Sequence, residues 1–226
     1  VSEDMSDEQT GAGAPIEFRP SAEAVVVPEG PRDVALVFLG ASMVAGVGDP
    51  KGQGWVTRVV GRTQHPEVEI TAYNLGVRGD TTADVLERWT TEVPRRWQGR
   101  TERRLVVSVG TNDIATGISL ARHRLNLANL LDDAATQGVG TFVVSPPPSD
   151  DPEINGRLEI LVEAQADVCS RRGIPFVDCY GPLKTHDQWR TDLAASTVAH
   201  HPGQAGYGLI AWLVLHNGWS EWLQID

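Results

Sequence analysis

Only two cysteines, Cys169 and Cys179, stand in 226 residues, and no CxxC pair occurs. That excludes a disulfide framework and a thiol redox motif, and it reads both thiols as packed, one on a helix and one at a strand end. Positive charge is also scarce. Nineteen Lys and Arg against 30 Asp and Glu give a formal net charge of -11. A phosphate-backbone ligand needs a basic footprint, so nucleic acid is excluded as a partner. Docking on an anionic membrane through a polybasic patch is excluded on the same ground. Long apolar runs are missing: Val34 to Leu39 is typical, far below the roughly 20 residues that span a bilayer. Val1 to Pro31 is acidic and rich in Gly, Pro, Ala and Ser. It lacks the basic and apolar regions of a secretory signal, which favours the cytoplasm, with a processed secreted form as the alternative. Familiar site patterns are absent as well. Position 44 is Val44, which breaks a GxSxG elbow around Ser42. Neither a P-loop nor a GxGxxG fingerprint follows the first apolar run. His186, Asp187, His200 and His201 show no metal-ligand spacing.

Residues 1–32 read as an N-terminal extension, with Val25 to Val27 as a candidate extra strand, and residues 33–226 as one domain. Within that domain, short apolar runs alternate with longer amphipathic stretches. The runs are Val34 to Leu39, Val68 to Leu75, Leu105 to Val109, Thr141 to Ser145 and Ile174 to Cys179. They are rich in Val, Ile and Phe and several lack polar alternation, as strands covered on both faces do. The intervening helices are expected at 54–64, 81–97 with a stop at Pro94, 119–137 and 152–172, with a last one at 204–216. Strand–helix alternation implies a parallel sheet with right-handed crossovers. Ligands of such sheets bind beyond the carboxyl ends of the strands. Trp212, Trp219 and Trp222 are read as packing of the last helix and tail, with a sugar platform as the sharper alternative.

The turns after the strands carry the chemistry. Gly40-Ala41-Ser42 follows the first strand, Asn74-Leu75-Gly76 closes the second, and Gly110-Thr111-Asn112-Asp113 follows the third. His200-His201-Pro202 precedes the last helix. Taken singly, Ser42 reads as a helix cap, Gly76 and Asn112 as turn residues, and His201 as a surface histidine. Together they supply a hydroxyl to attack, a base to take its proton and donors for a developing oxyanion.

These blocks resemble the SGNH, or GDSL, hydrolases. Leu36 through Gly-Ala-Ser to Gly54-Trp55 resembles the first block of that family, and Tyr73 to Gly79 the second. Val109-Gly110-Thr111-Asn112-Asp113 resembles the third, and His201-Pro202 with Gly206-Tyr207 the last. The resemblance spans roughly residues 34 to 215. It implies a three-layer α/β/α sandwich, flavodoxin-like, with a five-stranded parallel sheet. It also implies a serine esterase acting on a small-molecule ester without metal or cofactor. Ser42 would be the nucleophile and His201 the base, chosen over the neighbouring His200 for the Pro202 that follows it and the spacing to Gly206-Tyr207. The Ser42 N–H, the Gly76 N–H and the Asn112 amide would form the oxyanion hole.

Two departures stand out. Ala41 occupies the place of the usual aspartate before the serine, which removes hydrogen bonds to nearby loops. Val198 stands three residues before His201, where the family carries its acid. That acid ordinarily fixes the imidazole tautomer. A backbone carbonyl could do this instead, giving a Ser–His dyad, which is the expected arrangement. Asp192 could fold back as the acid, or the site could be impaired. Impairment would leave a non-catalytic binding protein for an acyl or glycan ligand. Short acyl chains are the expected substrates, since no long apolar lid segment is evident.

Overall fold

The computed structural model describes residues 30–225; the Val25 to Val27 strand expected above lies outside them. Five strands form one parallel sheet: β1 (Arg32–Gly40), β2 (Val68–Gly76), β3 (Glu102–Ser108), β4 (Gly140–Val144) and β5 (Phe176–Val177), in the order β2-β1-β3-β4-β5. This is the flavodoxin-like order. Gly40 pairs with both Gly76 and Ser108, so the first three strands end level. The chain leaves β1 toward β2 on one side and returns to β3 on the other. That reversal opens a crevice at the shared end, where Ser42 and Asn112 follow within a few residues.

β1 shows why the sheet is covered twice. Val34, Leu36 and Phe38 enter one core and Ala35, Val37 and Leu39 the other, all at 1% exposure or less. The first core is closed by α2 (Gly54–Val60), α10 (Gln204–Leu215) and α11 (Trp219–Leu223), with Trp55, Ile210, Val214 and Trp219 buried. The second is closed by α3 (Thr82–Glu92), α4 (Pro94–Trp97), α6 (Leu120–Thr136) and α7 (Pro152–Ser170), with Trp89, Trp97, Leu127 and Val168 inside. The remaining helices are short: α1 (Ser42–Ala45), α5 (Thr111–Ala115), α8 (Tyr180–Lys184) and α9 (Asp187–Ala195). None of the described helices is long and apolar enough to cross a membrane.

Local chemistry sets the boundaries. Thr81 and Asp84 form a reciprocal capping box at the start of α3. Pro94 ends that helix and takes the first position of α4, where its missing N–H costs nothing. Asp151 caps α7 ahead of Pro152, and Gly138, at φ +69, turns the chain out of α6. Both cysteines are buried and free; burial pushes the Cys169 thiol up to about 12 and raises that of Cys179 further. Of the C-terminal tryptophans, Trp219 and Trp222 pack as expected, but Trp212 faces outward at 56% exposure and stacks on His216.

Candidate active site

Ser42 opens α1, so its N–H lies ahead of that helix's own hydrogen bonds. Two glycines let this short helix sit down on the sheet. A Cβ on Gly40 would lie 2.7 Å from Val44 Cγ2, and one on Gly76 would lie 2.3 Å from the Ala45 nitrogen. Asn74 ties the same corner, donating from Nδ2 to Val44 O (2.7 Å) and accepting at Oδ1 from the Gly76 N–H (3.0 Å). The Gly76 N–H, expected to serve the oxyanion, therefore has another partner. Its strand position explains this: Gly76 is a close-packing glycine beneath α1.

The loop beyond α1 lacks the aspartate replaced by Ala41 and is ordered from further along. The Asp49 carboxylate accepts from Lys51 N and Gly54 N, both at 2.9 Å, and pairs with Arg58. Burial pushes this carboxyl up, but Arg58 and the two amides outweigh it and hold it below the usual carboxylate range.

After β2 the chain makes a turn from Val77 to Asp80. Val77 N donates to Gly40 O (2.9 Å), Asp80 N to Val77 O (3.3 Å), and Gly79 takes a φ of +93°. A side chain is disfavoured there, which suits glycine. Around Gly79 a Cβ would meet open space, and its N–H has no partner among the described residues. Arg88 braces the turn, binding Asp80 Oδ2 (2.6 Å), Leu75 O (2.8 Å) and Gly40 O (3.1 Å). Asn112, on α5, donates from Nδ2 to Asp80 O (2.8 Å). One amide hydrogen of Asn112 is thus fixed on the Gly79-Asp80 turn, which leaves the other for a ligand. Neither Gly79 nor Arg88 was singled out from the sequence. The available signal was the Gly79-Asp80-Thr81-Thr82 run leading into a capping box.

A fully buried network lies beneath Asn112. Asp113 accepts from Thr82 N (2.7 Å) and Thr82 Oγ1 (2.6 Å) and meets His123 Nδ1 at 2.5 Å, with Asp113 and His123 both at 0% exposure. On the far side of His123, the Gln165 amide nitrogen bonds Val109 O (2.9 Å) and His123 Nε2 (3.2 Å). A carbonyl can only accept, so the amide nitrogen must face Val109. His123 Nε2 then receives a hydrogen and is bare, which puts the proton on Nδ1, toward Asp113.

The histidine segment approaches the serine loop directly. A Cβ on Gly48 would lie 3.0 Å from His201 Cβ and 2.8 Å from Pro202 O. Tyr207 OH donates to Val47 O (2.6 Å), and Val47 N to Ser42 O (3.1 Å). His201 Nδ1 lies 2.7 Å from Ala199 O. That acceptor requires the proton on Nδ1 and leaves Nε2 as a lone-pair acceptor. Burial lowers the His201 pKa from its ordinary 6.5, and the charges of Arg78 and His200 add to this; the Ala199 bond and Asp150 oppose it. Asp192 lies on α9 and accepts from Gly206 N at 2.8 Å. Its carboxylate anchors the start of α10 and borders a concavity of about 490 Å3 shared with Gly48, Val198 and Gly203. His200 instead pairs with Asp150 at 2.6 Å. Among the described residues, no three metal-binding side chains cluster.

A family described as GDSL-like lipase/acylhydrolase matches residues 38–209. The chain belongs to that family. Its members' chemistry, the hydrolysis of carboxylic esters, is therefore this protein's as well. No curated protein matches the sequence. Solved structures resemble it in fold. A lipase/acylhydrolase from Enterococcus faecalis aligns with a TM-score of 0.65 at 23% identity, over 84% of this chain and 96% of that one. A catalytic mutant of an acetylxylan esterase from Geobacillus stearothermophilus gives 0.66 at 19% identity, over 85% and 96%. A psychrotrophic esterase from Pseudoalteromonas, inhibited by monoethylphosphonate, gives 0.62 at 18%, over 84% and 98%. In this family member the matched segment carries all four blocks, from the end of β1 into α10.

Proposed function

We propose that this family member is a serine esterase working through a Ser42–His201 dyad. His201 Nε2 takes the Ser42 hydroxyl proton as Oγ attacks the ester carbonyl. The oxyanion is received by the N–H of Ser42, the N–H of Gly79 and the free amide hydrogen of Asn112. The protonated imidazole returns its proton to the departing alkoxide. Water, activated by the same histidine, then releases the acyl group. The observation that carries this reading is the pairing of His201 Nδ1 with Ala199 O while Asp192 is engaged by Gly206. A carbonyl fixes the tautomer as a carboxylate would, with less stabilisation of the imidazolium. Gly79 replaces Gly76 as the backbone donor because the Gly76 N–H is occupied. We take short acyl esters as the substrates, on the ground that the sequence holds no long apolar lid segment.

The test is covalent labelling of Ser42 by a fluorophosphonate, with turnover of p-nitrophenyl acetate and longer esters. We expect a Ser42 adduct, loss of turnover in Ser42→Ala, and Asp192→Asn within about threefold of the parent kcat. A fall beyond about a hundredfold in folded Asp192→Asn would make that carboxylate the acid and end the dyad reading. Absence of both adduct and turnover would leave a ligand-binding protein on the same fold.

A further inference from the structure

We propose that Asp150 and His200 form a positioning couple that aims Ala199 O at the His201 ring. This rests on the Ser42–His201 reading and supplies what the missing acid at Val198 would otherwise do.

The argument begins with the backbone. His201 N donates to Val198 O at 3.2 Å, closing a four-residue turn with His200 in the third place. His200 has a φ of +62°, and the other non-glycine described residue with positive φ, Gln224, ends the last helix. Glycine and asparagine suit that third place, whereas most other residues are disfavoured there. In turns of opposite sign at this residue the central peptide is rotated by about half a turn. The central peptide here is Ala199–His200, so the sign at His200 decides which way Ala199 O points. Only one of the two orientations delivers that oxygen to His201 Nδ1.

Positive φ is uncommon for histidine, so His200 gains from a hold outside its own turn. Its ring reaches 2.6 Å to Asp150 Oδ1. Asp150 stands on firm ground, in the connection from β4 to α7. Ser149 N bonds Asn155 Oδ1 and Asn155 Nδ2 bonds Ser149 O, both at 2.8 Å, and Asp151 N bonds Ser149 Oγ at 3.1 Å. On the other side, the Ser196 hydroxyl contacts both Val198 N and Val198 O at 3.2 Å. The turn is thus gripped at both ends, and His200 links it to an element across the crevice. The His200 and Asp150 side chains are 58% and 43% exposed, so removing them spares the core.

The experiment uses the full chain with p-nitrophenyl acetate and a thermal melt of each variant. Asp150→Ala and His200→Ala should each lower kcat about tenfold with KM within about twofold. His200→Gly should keep kcat within about threefold, because glycine takes positive φ unaided. Adding Asp150→Ala to His200→Gly should cost no more than about another threefold, since the two act in series. The proposal is overturned if His200→Gly falls as far as His200→Ala, since the imidazole itself would then be required. It is equally overturned if Asp150→Ala leaves kcat unchanged, or if its loss appears in KM, which would mark a substrate contact. Ser42 labelling separates the two readings. A parent protein with neither label nor turnover brings both down. A labelled, active parent indifferent to Asp150→Ala brings down this inference alone.

Discussion

Asn112 rests on Asp113 and His123, which have no exposed surface, whereas His201 hangs from a turn anchored by His200 and Asp150, which are roughly half exposed. The two halves of one site are thus held by different physics. Beneath the oxyanion donors, every broken bond strands a polar group away from water, at about 1–3 kcal/mol each. Around the histidine, water replaces any lost partner, and an exposed pair contributes about 0–1 kcal/mol. Damage to the first half should therefore lower stability and activity together, and damage to the second should lower activity alone.

The sharpest way to break this contrast is Asp113→Ala. It removes the acceptor of Thr82 and leaves His123 buried without its partner. We expect urea unfolding to show a loss of about 1–3 kcal/mol for each donor stranded, with kcat falling alongside. A variant of parental stability would show that the buried network does not set the oxyanion half apart. A smaller effect divides the two glycines. Gly76→Ala forces a Cβ onto the Ala45 backbone and should cost about 1–3 kcal/mol in stability. Gly79→Ala meets open space, and its positive φ should cost about 1–2 kcal/mol. The second change should depress kcat by turning the N–H away from the oxyanion. Full activity in Gly79→Ala would return the donor role to another amide. The smallest effect concerns pH. His201 must be neutral to accept the serine proton, and burial, then Arg78 and His200, lower its pKa. Activity should therefore persist below pH 6.5 and be lost only as pH falls through that lowered value. Arg78→Ala should move the acid limb of kcat/KM upward and Asp150→Ala should move it downward. Movement in the opposite senses would mean that these charges do not act on the base.

Much of this was legible in the residues. The five strands and the helices at α2, α3, α6, α7 and α10 followed from apolar runs, caps and turn residues, and the four blocks from the family resemblance; α11, which helps close the first core, and α9 did not. Ser42, Asn112 and His201 stand after strands or before a helix, in positions that spacing along the chain already indicates. Gly76 and Gly79 show where that reading runs out. Both are turn-like glycines three residues apart, and nothing in the sequence says which N–H is taken. Asn74 decides it, by folding its side chain back onto Gly76. Trp212, Trp219 and Trp222 were alike in sequence, yet one face of α10 turns outward and leaves Trp212 in solvent, while the other two pack from α11.

The sequence by itself determined a doubly covered parallel sheet with a serine, an amide and a histidine gathered at one end, because apolar periodicity and turn chemistry are local properties. Only the tertiary structure decided what orients the histidine. Ala199, Asp150 and Asp192 lie 2, 51 and 9 residues before His201. Ala199 O is the one that meets the ring, and in the proposed couple this depends on the sign of one backbone angle at His200 and on Asp150 in the connection after β4. Contacts of that kind are set by how distant segments pack, and the residue string does not carry them.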